Sequence, residues 1–113
     1  MIMQGYDLEA AVPFIAGAMR RAGHKLPQAE LEAFVRRAVE ADMRYMAQTG
    51  VLDADGMMGE GVYDDDDAFE ALLDVLGTDI ADESGMDRLA QMLDSYMAAQ
   101  QDFMEESGLM EEA

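Results

Sequence analysis

Between residues 27 and 50 apolar side chains return every third or fourth position: Leu31, Phe34, Val35, Ala38, Tyr45 and Met46, with Asp42 the one polar residue on that stripe. Such a period puts them on one face of a helix, with Pro27 suited to an opening position and Gly50 to the stop. A second long stretch, about Ser84 to Ser107, repeats the pattern with Met86, Leu89, Leu93, Tyr96, Met97, Gln100, Phe103 and Met104, and Gly108 follows as its stop. A shorter helix precedes each long one. Residues 8 to 22, before Gly23, carry Phe14, Ile15, Ala18 and Met19, with Pro13 either opening a shorter helix or kinking a longer one. Residues 66 to 76, before Gly77, turn Phe69, Leu72, Leu73 and Leu76 inward and Asp67, Glu70 and Asp74 outward. No stretch alternates as a strand requires. The pattern predicts an all-α protein.

The same pattern recurs at an offset of 58 residues. Tyr45 to Asp55 aligns with Phe103 to Ala113, and upstream Leu31 matches Leu89, Val35 matches Leu93 and Val39 matches Met97. With one residue inserted, the stretch from Tyr6 matches that from Tyr63. One hairpin alone cannot cover its own apolar stripe. The expected architecture is therefore a small four-helix bundle built from two similar short-helix, long-helix hairpins related by a pseudo-twofold repeat. It forms a single domain over 1–113, with hairpin one at 6–52, hairpin two at 63–110 and a Gly/Asp-rich connector at 53–62.

Composition narrows the chemistry. A compact chain of 113 residues buries about 65% of its unfolded surface, so a true core is available. Twelve methionines and no tryptophan make that core soft and helix-friendly. Without cysteine there is no disulfide, thiolate nucleophile or cysteine metal site. The apolar stretch Ala10 to Met19 is too short to span a membrane, and Arg20 and Arg21 lie on the wrong side of it for a signal peptide. The expected location is the cytoplasm.

Charge changes the picture most. Residues 1 to 44 balance six basic against six acidic groups, whereas residues 45 to 113 set nineteen acids against Arg88 alone and hold the whole net charge of -18. In the first long helix Glu32 with Arg36 and Glu40 with Arg44 stand in the favourable i,i+4 order, each pair contributing ~0.3 kcal/mol, so that helix is expected to neutralise itself. In the second, Asp87, Asp94, Asp102 and Glu105 have no basic residue placed to meet them. A surface of this kind repels nucleic acid and anionic membranes and steers basic partners.

Candidate sites follow from the same acids. The run Asp64, Asp65, Asp66, Asp67 stands where a helix begins, and acids there meet unsatisfied N–H groups and the positive end of the helix dipole. One or two aspartates suffice for that; four adjacent ones repel each other. As a calcium loop, Asp53 to Asp64 begins D-x-D but has Met57 at position five, Met58 in place of the turning glycine, and Asp64 in place of a bidentate Glu at position twelve. Looser coordination by Asp53, Asp55, Glu60 and Asp64 is the metal alternative. His24, the sole histidine, reads as a surface loop residue, and no nucleophile elbow, phosphate loop or selectable carboxylate pair supports catalysis. No cofactor is expected. Met57 and Met58, in a Gly-rich loop between acidic stretches, are candidates for an adaptable apolar contact.

The expected function is a non-enzymatic, acidic helical module whose face of Asp64 to Asp67, Glu70, Asp74, Asp87, Asp94, Asp102 and Glu105 binds a basic protein surface, with no direct contact to nucleic acid or membrane. Carboxylates one to two helical turns apart recur every ~5 to 11 Å, a spacing comparable to that of phosphates on a DNA strand. In charge and size only, the chain is similar to DNA-mimic inhibitors, including phage-encoded anti-CRISPR proteins. The alternatives are a divalent-cation-binding protein using the acidic loop Asp53 to Asp67, and a structural protein that self-assembles through Arg36, Arg37 and Arg44.

Overall fold

Four helices account for the fold: α1 (Leu8–Arg21), α2 (Gln28–Thr49), α3 (Asp65–Leu76) and α4 (Glu83–Glu106). The computed structural model describes residues 3–108, so the ends of hairpin two and of its repeat match, residues 109 to 113, lie outside the described residues. Each helix packs on its neighbours in chain order and α4 closes on α1, while the two long helices also touch across the diagonal. The result is an antiparallel four-helix bundle.

The starts and stops have local causes. Asp7, Asp64 and Asp82 cap α1, α3 and α4, each side chain accepting backbone N–H groups of the first turn. Pro27 is itself the N-cap of α2 and has no side chain able to cap. Its carbonyl takes the N–H groups of Glu30 and Leu31. Gly50 ends α2 in the left-handed conformation, at φ 82°. Pro13 neither starts α1 nor ends it: the helix runs from Leu8 through it. Pro13 has no N–H to offer the carbonyl of Glu9, and both residues are exposed, a setting in which a freed carbonyl costs little.

The core follows the stripes, and several positions 58 apart are buried alike, although Val39 is buried where Met97 is half-buried and Met43 is buried where Gln101 is exposed. Leu31 and Leu89, Phe34 and Met92, Val35 and Leu93, Ala41 and Ala99, Tyr45 and Phe103, and Met46 and Met104 are all buried. Edge contacts recur as well, Tyr45 on Tyr63 at 5.8 Å and Phe103 on Tyr6 at 5.3 Å between ring centroids. The repeat itself stays an expectation; these contacts agree with it. In α3 only Ala68 and Leu72 are buried, while Phe69, Leu73 and Leu76 pack against the core but remain partly open. That helix is the least covered of the four.

The connector is a folded element. Leu52 and Met58 form an antiparallel bridge, and Gly59 and Gly61 donate N–H groups to Val51 and Gly50. Here glycine is required: a Cβ on Gly59 or Gly61 would run into the backbone of Gly50. The N-terminal segment fastens the loop from outside, the N–H of Gln4 donating to Gly56 at 2.8 Å while Met3 is buried. Among the described residues no helix is long and apolar enough to cross a membrane.

Candidate partner-binding groove and the cavity beside it

The four aspartates divide their tasks. The Asp64 carboxylate accepts the N–H groups of Asp66 and Asp67 at 3.0 and 3.2 Å, which makes it the cap. Asp67 accepts the Tyr45 hydroxyl at 2.8 Å and ties the start of α3 to α2. Burial and this bond hold the Tyr45 hydroxyl above its ordinary range. Asp65 and Asp66 have no such role. They line a groove between α3 and α4, facing Asp94, over a floor of Phe69, Met97 and Ala98. The groove measures about 460 Å³ and has no basic residue in its lining. Glu70, Asp74, Asp87 and Asp102 are exposed outside it, and the half-buried Glu105 accepts an amide N–H of Gln101 at 3.4 Å.

The basic residues lie elsewhere. Arg37 and Arg44 line a second groove with Glu40 and Asp79, and Arg88 shares a third with Arg37, Glu30, Asp79 and Asp82. Neither has a residue in common with the acidic groove. The one ion pair among the described residues joins Arg36 to Glu9, through two bonds of 3.1 Å. This corrects the expected self-neutralisation of α2: Arg36 turns across to α1 instead of back to Glu32, because Glu9 receives its guanidinium fork end on. Arg36 holds the Glu9 carboxyl below its usual range. Among the described residues, no carboxylate of hairpin two is ion-paired.

Among the described residues no three Asp, Glu or His side chains converge as a metal-ligating group. Asp53 turns one carboxylate oxygen onto the N–H groups of Asp55 and Met57, at 2.9 and 3.0 Å, and so shapes its own turn. His24 also departs from expectation. It is half-buried, and its Nε2 lies 2.8 Å from the Ser95 hydroxyl, pinning the α1–α2 loop to α4.

Sequence reading gave no role to Asp42, which the structure makes central. It is 1% exposed. Tyr63 donates to its Oδ1 at 2.7 Å and Tyr96 to its Oδ2 at 2.8 Å. Behind Tyr96 the chain continues: Gln100 Nε2 donates to the Tyr96 hydroxyl at 3.2 Å, and Tyr6 donates to Gln100 Oε1 at 2.7 Å. Every bond points towards the carboxylate, and no buried side-chain N or O among the described residues lacks a partner. Burial raises the Asp42 pKa, and the hydroxyl bonds from Tyr63 and Tyr96, with the Gln100 amide close by, offset this only in part. The available signal was a polar residue on an apolar stripe at both position 42 and position 100, in a chain whose buried tyrosines need acceptors.

Asp42 also lines a cavity of about 80 Å³ walled by Met3, Met46, Met58, Met97 and Met104, with Asp65 and Gln101 in its lining. Asp65, Met97 and Gln101 belong to the acidic groove as well, so groove and cavity adjoin. Met58 is in the lining and 62% exposed; Met57, also exposed, is not in the lining. No protein-family model matches the chain, and neither a curated protein nor a solved structure matches it significantly.

Proposed function

We propose that the protein is a non-enzymatic acidic interaction module that docks the groove between α3 and α4 on a basic surface of a partner protein, in the manner of a nucleic-acid mimic. One observation carries this reading: carboxylates from two helices, Asp65, Asp66 and Asp94, face one groove with no basic residue in its lining and no ion pair to quench them. Carboxylates gathered without counter-ions repel one another, whereas arginines and lysines placed for phosphates supply the missing charge. The apolar floor of Phe69 and Met97 adds contact area beneath the charges. A face of this kind would inhibit a nucleic-acid-binding partner by occupying its phosphate-binding surface.

The test uses the purified chain as bait at about 50 mM and about 300 mM salt, a range over which screening weakens exposed charge contacts. A partner that is held at low salt, released at high salt and displaced by duplex DNA supports the mimic. A captured partner indifferent to both salt and DNA refutes it.

A further inference from the structure

We propose that the methionine-walled cavity lined in part by Asp42 is an anchor pocket for a primary alkylammonium group, the side chain of a lysine on the basic partner. This rests on the docking reading above and names the residue type that enters the fold. Two observations carry it. The cavity is about 80 Å³, several times the roughly 10 to 15 Å³ that one water requires, and its walls are thioethers and alkyl groups that suit a four-carbon stem. Its lining includes a carboxylate that is 1% exposed and has only neutral groups as hydrogen-bond donors. With Tyr63, Tyr96 and the neighbouring Gln100 amide taking at most three of its four acceptor sites, the Asp42 carboxylate keeps at least one. An ammonium, compact and with three donors, fits that unmet capacity and cancels the buried charge.

The approach is marked out too. Asp65, Met97 and Gln101 line both the groove and the cavity, so a cation drawn by Asp65, Asp66 and Asp94 arrives at the opening. Arginine fits less well, because its planar fork needs two accessible oxygens in one plane, and both Asp42 oxygens already hold tyrosines. A neutral chain of equal length gains the apolar contact without the charge.

The experiment follows the methionine methyl resonances of the whole chain as n-butylammonium chloride is added, with sodium chloride matched for ionic strength. The expected result is saturable shifts at Met46, Met58, Met97 and Met104, with none at Met19 or Met43, which are buried elsewhere. n-Butanol should bind at least tenfold more weakly, and Asp42→Asn, isosteric with the native side chain, should lose at least tenfold. Val51→Met, which keeps Asp42 but extends a side chain from the cavity wall, should abolish the shifts and serves if Asp42→Asn does not fold. A lysine-containing basic peptide should move the same methyls and its acetyl-lysine form should not.

Shifts reproduced by sodium, equal binding by Asp42→Asn, or a peptide that acts equally when acetylated overturns the inference. Butylammonium binding that the peptide does not reproduce overturns the lysine anchor and leaves a pocket for a free amine. Failure of butylammonium alongside a salt-sensitive, DNA-displaced partner removes the pocket and leaves the docking reading standing.

Discussion

Hairpin one carries Asp42 at the position where hairpin two, 58 residues later, carries Gln100, and each takes a hydrogen bond from the tyrosine that precedes the other hairpin's short helix. Tyr63 of hairpin two donates to Asp42, and Tyr6 of hairpin one donates to Gln100. The difference between the two residues follows from donor counting. Gln100 relays, accepting from Tyr6 and donating to Tyr96, whereas Asp42 only accepts and ends the chain. A line of bonds through one core needs one relay and one terminus. Two carboxylates would leave the Tyr96 oxygen without a donor and put two like charges in the interior. On the surface no such constraint holds, and there the hairpins differ freely: one is neutral overall, the other acidic and unpaired.

Making the relay a second terminus breaks the comparison most severely. Gln100→Glu preserves shape but adds a buried carboxylate that shares Tyr96 with Asp42. It is expected to cost about 3 kcal/mol or more at pH 7, the scale of an uncompensated buried charge, and to recover towards pH 5 as one of the two carboxyls takes a proton. Urea denaturation at both pH values reads this directly, and a pH-independent loss below ~1 kcal/mol would contradict the donor count.

Exposed differences are tested by partner affinity. Replacing Asp65, Asp66 and Asp94 together by Asn is expected to weaken salt-sensitive binding about tenfold, on the order of 1.4 kcal/mol. The matched control in hairpin one, Glu30, Glu32 and Glu40 to Gln, removes as many charges and should change affinity by less than about twofold. Equal losses would mean that overall charge, not the groove, selects the partner.

Asp42→Asn makes the two buried positions both amides. The groups facing Asp42 are Tyr63, Tyr96 and Gln100, with Asp65 and Tyr6 also near, and none is cationic. Its carboxyl is raised in the fold, so the folded state holds the proton more tightly than the unfolded chain. Stability is therefore lost as pH rises from the ordinary aspartate value near 3.8 through the raised value. The variant does not share this loss. Its amide NH2 meets a tyrosine hydroxyl that donates to that position, a cost that does not vary with pH, while the stability difference from the native protein should move in the variant's favour by on the order of 1 kcal/mol between about pH 4 and pH 7. A gap that stays constant with pH would place the Asp42 pKa at its ordinary value.

The four helices and the bundle were legible because an apolar period, an opening Asp or Pro and a closing Gly are local signals. Asp42 was visible only as a break in a stripe. Its partners Tyr63 and Tyr96 stand 21 and 54 residues away, and nothing local records such bonds. Arg36 shows the same limit: Glu32 lies one helical turn back, yet the guanidinium reaches Glu9 on another helix. The aspartate run reads correctly as a helix start, but which of its members caps and which lines the groove is not local: only the packing of α3 on α2 and α4 sets Asp65 and Asp66 apart from Asp64 and Asp67. The partial exposure of Phe69, Leu73 and Leu76 has the same origin, because a stripe fixes which face turns inward but not how much neighbour is there to cover it.

The smallest expected effect bears on why hairpin two lacks counter-ions. Gln91 is exposed on α4, one turn beyond Asp87 and three residues before Asp94. Gln91→Arg places a cation in the favourable order after Asp87, and on an isolated helix such a pair adds about 0.2 to 0.5 kcal/mol. Here the new charge also sits in the field of many unpaired carboxylates, so the gain should lie at the upper end of that range at low salt and fade as salt rises. Deleting Arg36 from neutral hairpin one, as Arg36→Gln, should shift stability by less than this gain, because its pair with Glu9 is exposed on both sides. If one added arginine stabilises hairpin two more than losing one harms hairpin one, the bare acidic face is a standing cost to the fold. A cost that one substitution relieves is what a surface held open for a partner predicts; no gain from Gln91→Arg would mean that solvent already screens those carboxylates fully, and the groove would lose its claim to unmet charge.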